Sequence, residues 1–278
     1  MRFFEICKLI FMNKCIFTIA GNTIREITRQ AIFYLIVSGG CLLIMLSFSF
    51  TMFAFGEEVG MIKEMGVSTI TICCLCLASL SATNAIFGEI EKGTIMTLLS
   101  KPVDKRSILL GKFLGIMGVV SFAFMMMGVL LTISLCVKDS LEYQTGFLAS
   151  FASVGYPTLI QLVISFLQVA IMCGVAIAGS IYLPMVSNLS CCMFIYVIGN
   201  LINFFKCLFF GSEGGLLWYV SFFYVFFPNL EGFSTISIVN NFGAVSLGYM
   251  VLLAVYAILY LLLVLLITCE FFEKRECC

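Results

Sequence analysis

Residues Gly88–Phe113 read GEIEKGTIMTLLSKPVDKRSILLGKF. This charged, helix-forming stretch joins two apolar runs, Val67–Phe87 and Phe113–Val137, in a chain that otherwise avoids charge. Each run has the roughly 20 residues an α-helix needs to cross about 30 Å of hydrocarbon. The chain read outward from here is a series of such crossings, with 88–113 as one of the loops. Composition agrees: 62% of the 278 residues are hydrophobic and 11% are charged, against about 25% charged in soluble domains. No water-soluble core absorbs that excess, so the expected fold class is an all-α integral membrane protein.

Ala31–Phe55 is an earlier apolar run. Tyr143–Phe205 carries no charge and is too long for one crossing; Pro184 and the Ser187-Asn188 pair divide it into about Pro157–Leu183 and Leu189–Phe210. Gly248–Thr268 completes six expected spans, which place both termini on one side. Of 15 basic residues, only Lys63, Lys138 and Lys206 fall opposite the termini; the other twelve (15 − 3) share the termini's side with Gly88–Phe113. A basic excess marks the cytoplasmic side. The expected location is therefore the cell inner (cytoplasmic) membrane, with multiple passes and with the termini and the 88–113 loop in the cytoplasm.

Residues 1–30 are too polar to span. Phe17, Ala20, Ile24, Ile27 and Ala31 fall on one helical face and Thr18, Asn22, Arg25 and Arg29 on another, which predicts a helix along the cytoplasmic interface. It reads either as a mechanical element or as a plain amphipathic leader. The expected organisation is an interfacial, elbow-like segment at 1–30 and a six-helix transmembrane domain at 31–278, with a coupling loop at 88–113 and an outer loop at 211–247. No cleavable signal peptide is expected, because Arg2, Glu5, Lys8 and Lys14 interrupt any apolar core; Met12 is an alternative start. In the outer loop, Gly211–Phe242 is rich in Phe, Tyr and Trp and is broken by Pro228-Asn229. Interface anchors explain this, and so does a lid over an exit route.

Catalytic groups are scarce. There is no histidine, no Gly-x-x-x-x-Gly-Lys-[Ser/Thr] run and no acidic pair within a span. No span carries an ionisable residue near mid-bilayer, which disfavours a proton-coupled carrier. Energy for any work then comes from a partner, and the chain is not expected to be an enzyme or to bind a cofactor or metal. Most of the 14 cysteines lie in apolar runs, where they act as small apolar residues. Cys74 and Cys76 offer the nearest approach to a soft-metal site, but neighbours on one helix converge poorly.

The loop has the physics of a docking element. Ile95, Leu98 and Leu99 form an apolar ridge, Glu89, Glu91 and Lys92 lie upstream, and Gly93-Thr94 gives a cap-like break. Pro102 stops this helix and starts a second, Val103–Lys112, leading into the third span. A short helix rigidly joined to a spanning helix transmits a push. A solvated helix–turn–helix at the interface is the plainer reading.

Several strings here and elsewhere carry a family likeness. They are Glu89-Ile-Glu91-Lys-Gly93-Thr94, Leu98-Leu99-Ser100-Lys101-Pro102-Val103, Arg106, and Leu110-Gly111-Lys112-Phe-Leu-Gly115. Ile24–Glu26, the stretch Pro228-Asn229-Leu230-Glu231-Gly232-Phe233 and the closing run from Phe271 to Arg275 add to them. Together they resemble permease subunits of ATP-binding-cassette (ABC) exporters of the second type, in the branch that includes nitrous oxide reductase (copper-enzyme) maturation permeases. The resemblance covers nearly the whole chain. It implies that Glu89–Pro102 is a coupling helix docking on an ABC ATPase subunit, a P-loop NTPase that holds the ATP and Mg. The ATPase-coupling residues would be Glu89, Glu91, Gly93, Thr94, Leu98, Leu99, Lys101, Pro102 and Arg106. A second permease copy or paralogue would complete the transporter in the membrane lipid, with no nucleic acid involved.

Within the spans, Gln161, Ser165 and Gln168 share one face, and Asn200 and Asn203 share another. Uncharged amides there act either as glue between helices or as a substrate pathway. Ala170, Gly174 and Ala178 make a small-residue stripe suited to close packing, inside the chain or at a dimer seam. An anchoring or assembly protein whose loop docks a non-ATPase partner is the alternative function; a membrane-embedded enzyme is a more distant one.

Overall fold

The computed structural model describes residues 16–49, 58–91, 105–143, 146–209, 227–233 and 247–275. Among them, regular structure is helical throughout. Helix α1 is Ile16–Thr28, and α2 is Ala31–Ser49. Helix α3 spans Glu58–Glu91 and α4 spans Lys105–Tyr143. Helix α5 runs from Phe147 through a π-helical segment, Phe151–Gly155, to Ser180. Helix α6 is Met185–Phe209 and α7 is Leu247–Arg275.

Among the described residues, four helices are long and apolar enough to cross a membrane: Val59–Glu89, Arg106–Ser140, Leu148–Ser180 and Gly248–Phe272. A fifth is counted when α1 and α2, bent by 69° at their junction, are taken as one unit, and Met185–Leu201 is a shorter apolar helix. Helices α3 and α4 outrun the apolar cores read from sequence (Val67–Phe87 and Phe113–Val137), because helix-compatible polar residues extend both toward the 92–104 connection. Helix α5 likewise begins about ten residues before Pro157. Its π segment falls where Pro157, having no N–H to donate, interrupts the backbone ladder.

Helix α3 is the hub, packing against α2, α4, α5 and α6, while α7 lies on α5. The core runs along α3 through Ile70, Cys74, Leu77, Ala78, Ala82 and Ile86, meeting Ile116, Val120 and Met127 of α4 and Ile171, Cys173 and Ile177 of α5. Close approach requires glycine at Gly66, where an added Cβ would lie 2.2 Å from Leu131 Cδ1. Gly174, the centre of the Ala170–Gly174–Ala178 stripe, faces α7: a Cβ there would lie 3.7 Å from Val264 and 3.9 Å from Leu261, ordinary contact distances.

Asn188, at the start of α6, ties three helices together. Its Nδ2 donates to Thr83 Oγ1 (2.9 Å), Ala176 O (3.1 Å) and Ser79 O (3.4 Å). Sequence reading used this residue only as a break between spans. Buried amides satisfied from both sides fix register where apolar packing alone would allow sliding.

Candidate functional site

The two helices that enter and leave residues 92–104 are locked at their base. The Lys112 ammonium on α4 pairs with Glu89 on α3 and also donates to the Ala85 carbonyl. The Lys112 side chain is only 8% exposed and that of Glu89 25%, so this pair is partly withdrawn from water. Removing one member of such a pair strands the other charge. Glu91, the last residue of α3, and Arg106, in the first turn of α4, are exposed. Glu89 therefore braces the hairpin from inside, while Glu91 and Arg106 face outward. Gly93, Thr94, Leu98, Leu99, Lys101 and Pro102 lie outside the described residues.

Helix α1 is seated directly on this hairpin. A Cβ at Gly115 would lie 2.7 Å from Thr23 Cβ and 2.9 Å from the Ala20 carbonyl oxygen. At Gly111 it would lie 2.9 Å from Ile19 and 3.1 Å from the Ile16 carbonyl, and at Gly118 3.2 Å from Ile24 Cδ1. Glycines at 111, 115 and 118 thus cut a trough along α4 that accepts the α1 backbone. Just past α1, Gln30 Oε1 accepts a hydrogen bond from Asn84 Nδ2 of α3 (3.2 Å). One end of the molecule therefore joins α1, α3 and α4 by an ion pair, a backbone-on-glycine contact and a hydrogen bond between two side-chain amides.

Of the apolar face read for α1, Ala20 and Ile27 are buried against the bundle, whereas Phe17, Ile24 and Ala31 are exposed; the buried stripe includes Thr23. Thr23 fits because Gly115 lies under it and its hydroxyl is satisfied by the Ile19 carbonyl (3.0 Å). Phe17 points away from the bundle. The spacing of Gly111, Gly115 and Gly118 was the available signal for this seat.

A second site lies toward the opposite end of α3. Gln161, Ser165 and Gln168 of α5 and Asn200 of α6 line one cavity of about 140 Å³. The side chain of Asn203 lies outside the described residues. Glu64, Ser68 and Thr71 line the same cavity from α3 and Tyr196 lines it from α6. Sequence reading missed these, although Glu64, Ser68 and Thr71 repeat the spacing of Gln161, Ser165 and Gln168. Phe233, buried in the short 3-10 turn Glu231–Phe233, closes one side. That turn is strapped down: Leu230 N donates to Gly199 O (3.1 Å), Asn229 N to Tyr256 OH (3.0 Å), and Tyr249 OH to Gly232 O (2.9 Å). The Pro228–Phe233 stretch thus pins α6 to α7.

Among the described residues, no group of three or more His, Cys, Asp or Glu is placed to hold a metal ion. Cys74, Cys173 and Cys192 are packed in the core.

No match was found among curated proteins. The family model described as ABC-2 family transporter protein matches residues 17–277, which is almost the whole chain and includes both sites. That family supplies the transmembrane component of ABC transporters and implies partnership with an ABC ATPase subunit. With its several apolar helices, this multi-pass membrane chain belongs to the ABC-2 family of transporter permeases.

Proposed function

We propose that the chain is the permease subunit of an ABC exporter, coupling ATP hydrolysis in a separate ATPase to movement of a substrate across the inner membrane. In this reading six helices, α2 to α7, cross the bilayer and both termini are cytoplasmic. Residues 1–30 form the interfacial elbow and residues 31–278 the transmembrane domain. ATP and Mg reside in the ATPase, and this chain holds neither cofactor nor catalytic residue. A second permease copy or paralogue completes the pathway. The Glu89–Thr94 and Leu98–Val103 strings support placing it with the copper-enzyme maturation branch.

One observation carries the coupling role: the α3–α4 hairpin is clamped by Glu89 and Lys112, with Glu91 and Arg106 exposed where the chain enters and leaves 92–104. A docking element needs a stiff base, or a push on its tip dissipates. This base is stiff, and α1 lies along it. Movement of the 88–113 segment by the ATPase would therefore tilt α1, α3 and α4 together and open the seam between permease copies.

The test is purification of the tagged chain from its native membrane in mild detergent, with identification of bound proteins and assay of ATP hydrolysis. A near-stoichiometric P-loop ATPase is expected. It should be lost from Glu91→Arg and Leu98→Asp, whose helical content stays unchanged by circular dichroism. If several detergents yield no ATPase, the reading fails in favour of docking a non-ATPase partner.

A further inference from the structure

Helices α4 and α7 leave a groove of about 750 Å³ between them, at the end of the molecule where Glu89 pairs with Lys112. Helix α7 packs mainly on α5 and only lightly on α4, which is why the gap exists. Its lining is graded. Arg106 begins the apolar span of α4 and Glu270 lies near the end of the α7 span, so both stand at the level of the membrane surface. Leu110, Leu262, Leu265 and Leu266 line the groove at greater depth. Leu262 is about 12 Å further along the helix than Glu270, at 1.5 Å per residue. Leu265 is buried and forms the floor, whereas Leu262 and Leu266 are exposed along the opening.

Walls of leucine at hydrocarbon depth require an apolar filling, because polar backbone is not tolerated there without partners. The mouth requires something different. The Glu270 carboxylate is exposed and has no ion-pair or hydrogen-bond partner among the described residues. Across the groove, the Arg106 guanidinium offers five N–H donors in a fork that matches phosphate. A phosphate-binding cation on one wall and a lone carboxylate on the other complement a zwitterion. A purely anionic headgroup would meet Glu270 with repulsion, and a quaternary ammonium would give it no N–H to accept. We infer that the groove holds one phospholipid whose headgroup carries a phosphate and a primary amine, as phosphatidylethanolamine does. Its phosphate sits on Arg106, its ammonium on Glu270, and an acyl chain runs along Leu110, Leu262 and Leu266 over Leu265. Under the permease reading, on which its biological role rests, this lipid wedges the clamped α3–α4 hairpin against α7 and is squeezed or released as the hairpin moves.

The test uses the full-length chain in phosphatidylcholine vesicles containing a trace of phosphatidylethanolamine with a diazirine in one acyl chain. After illumination, mass spectrometry locates the adducts. They are expected to concentrate on residues 262–271 and around Leu110, relative to the exposed positions Val251, Val255 and Ile258 of the same helix. Unlabelled phosphatidylethanolamine should compete about three-fold better than phosphatidylglycerol, the discrimination that one exposed ion pair supplies. Glu270→Lys should reverse that order with the adducts still in the groove, a gain that misfolding does not produce. Arg106→Gln should weaken competition by both lipids. Adducts spread evenly along α7, or equal competition by the two lipids, would overturn the assignment. So would an absence of adducts together with disulfide-linked pairs of Leu266→Cys chains, which would put a second copy in the groove. The assay needs neither ATPase nor nucleotide, so its failure leaves the permease reading standing, and a missing ATPase leaves its result intact.

Discussion

Helices α3 and α7 are built on opposite rules. Helix α7 is nearly pure Leu, Val, Ile and Tyr from Gly248 to Ile267, yet only 17% of its apolar window is buried. Helix α3 carries Thr71, Ser79, Ser81, Thr83, Asn84 and Glu89, yet 67% of its window is buried. In water this order would be inverted. In a bilayer the surroundings are as apolar as leucine, so hydrophobicity does not select which helix goes inside. Small residues that permit close approach and polar residues that find partners do. Of these two helices, the more polar one lies inside and the more apolar one at the rim.

The sharpest break in that contrast is expected at Lys112. Lys112→Ala removes the α4 cation from Glu89 and a donor from the Ala85 carbonyl, and should cost about 3 kcal/mol, read as a lower midpoint in SDS-induced unfolding. It should also uncouple the hairpin, so that ATP hydrolysis by the bound ATPase continues without driving transport. Exchanging the charges, Glu89→Lys with Lys112→Glu, should recover part of both losses. Gly115→Leu comes next: its side chain has no room beside Thr23 and the Ala20 carbonyl, so α1 must lift from α4. Overpacking of this kind costs about 1–3 kcal/mol, and α1 should become accessible to protease. Asn188→Leu removes a donor from Thr83, Ala176 and Ser79 and should lower the same unfolding midpoint by about 1–2 kcal/mol. At the other extreme, Leu259→Ala on the exposed face of α7 should stay within about 0.5 kcal/mol. A large loss there, or none at Lys112, would erase the distinction between hub and rim.

The contrast also explains what the sequence disclosed. Apolar runs separated by charge announced membrane helices, because crossing hydrocarbon demands length and apolarity whatever the fold. The polar positions Gln161, Ser165, Gln168 and Asn200 were legible because amides are rare in such runs, and they do converge on one cavity. Their counterparts Glu64, Ser68 and Thr71 were not seen, since Ser and Thr satisfy themselves on their own helix and carry little signal. Thr71 Oγ1, for example, also bonds the Ser68 carbonyl (2.8 Å). The partner of Glu89 was invisible for a different reason: Lys112 lies 23 residues away on another helix, and only packing brings the two together. Gly111 and Gly115 stood in the recognised string without a stated purpose; the purpose is the seat of α1. Helix α1 itself was read from its amphipathic pattern; the α4 glycines, not overall apolarity, choose which of its residues pack on the bundle.

The central claim is that α1, α3 and α4 move as one clamped body relative to α7 when ATP is bound. Spin labels attached through Arg25→Cys on α1 and Leu263→Cys on α7, in the purified permease–ATPase complex, measure that distance by electron paramagnetic resonance. The account predicts an ATP-dependent change in the otherwise wild-type complex. That change should be absent from Lys112→Ala while hydrolysis persists, and should return with the charge exchange. The same ATP-dependent change in Lys112→Ala, or no change in the parent complex, would contradict it.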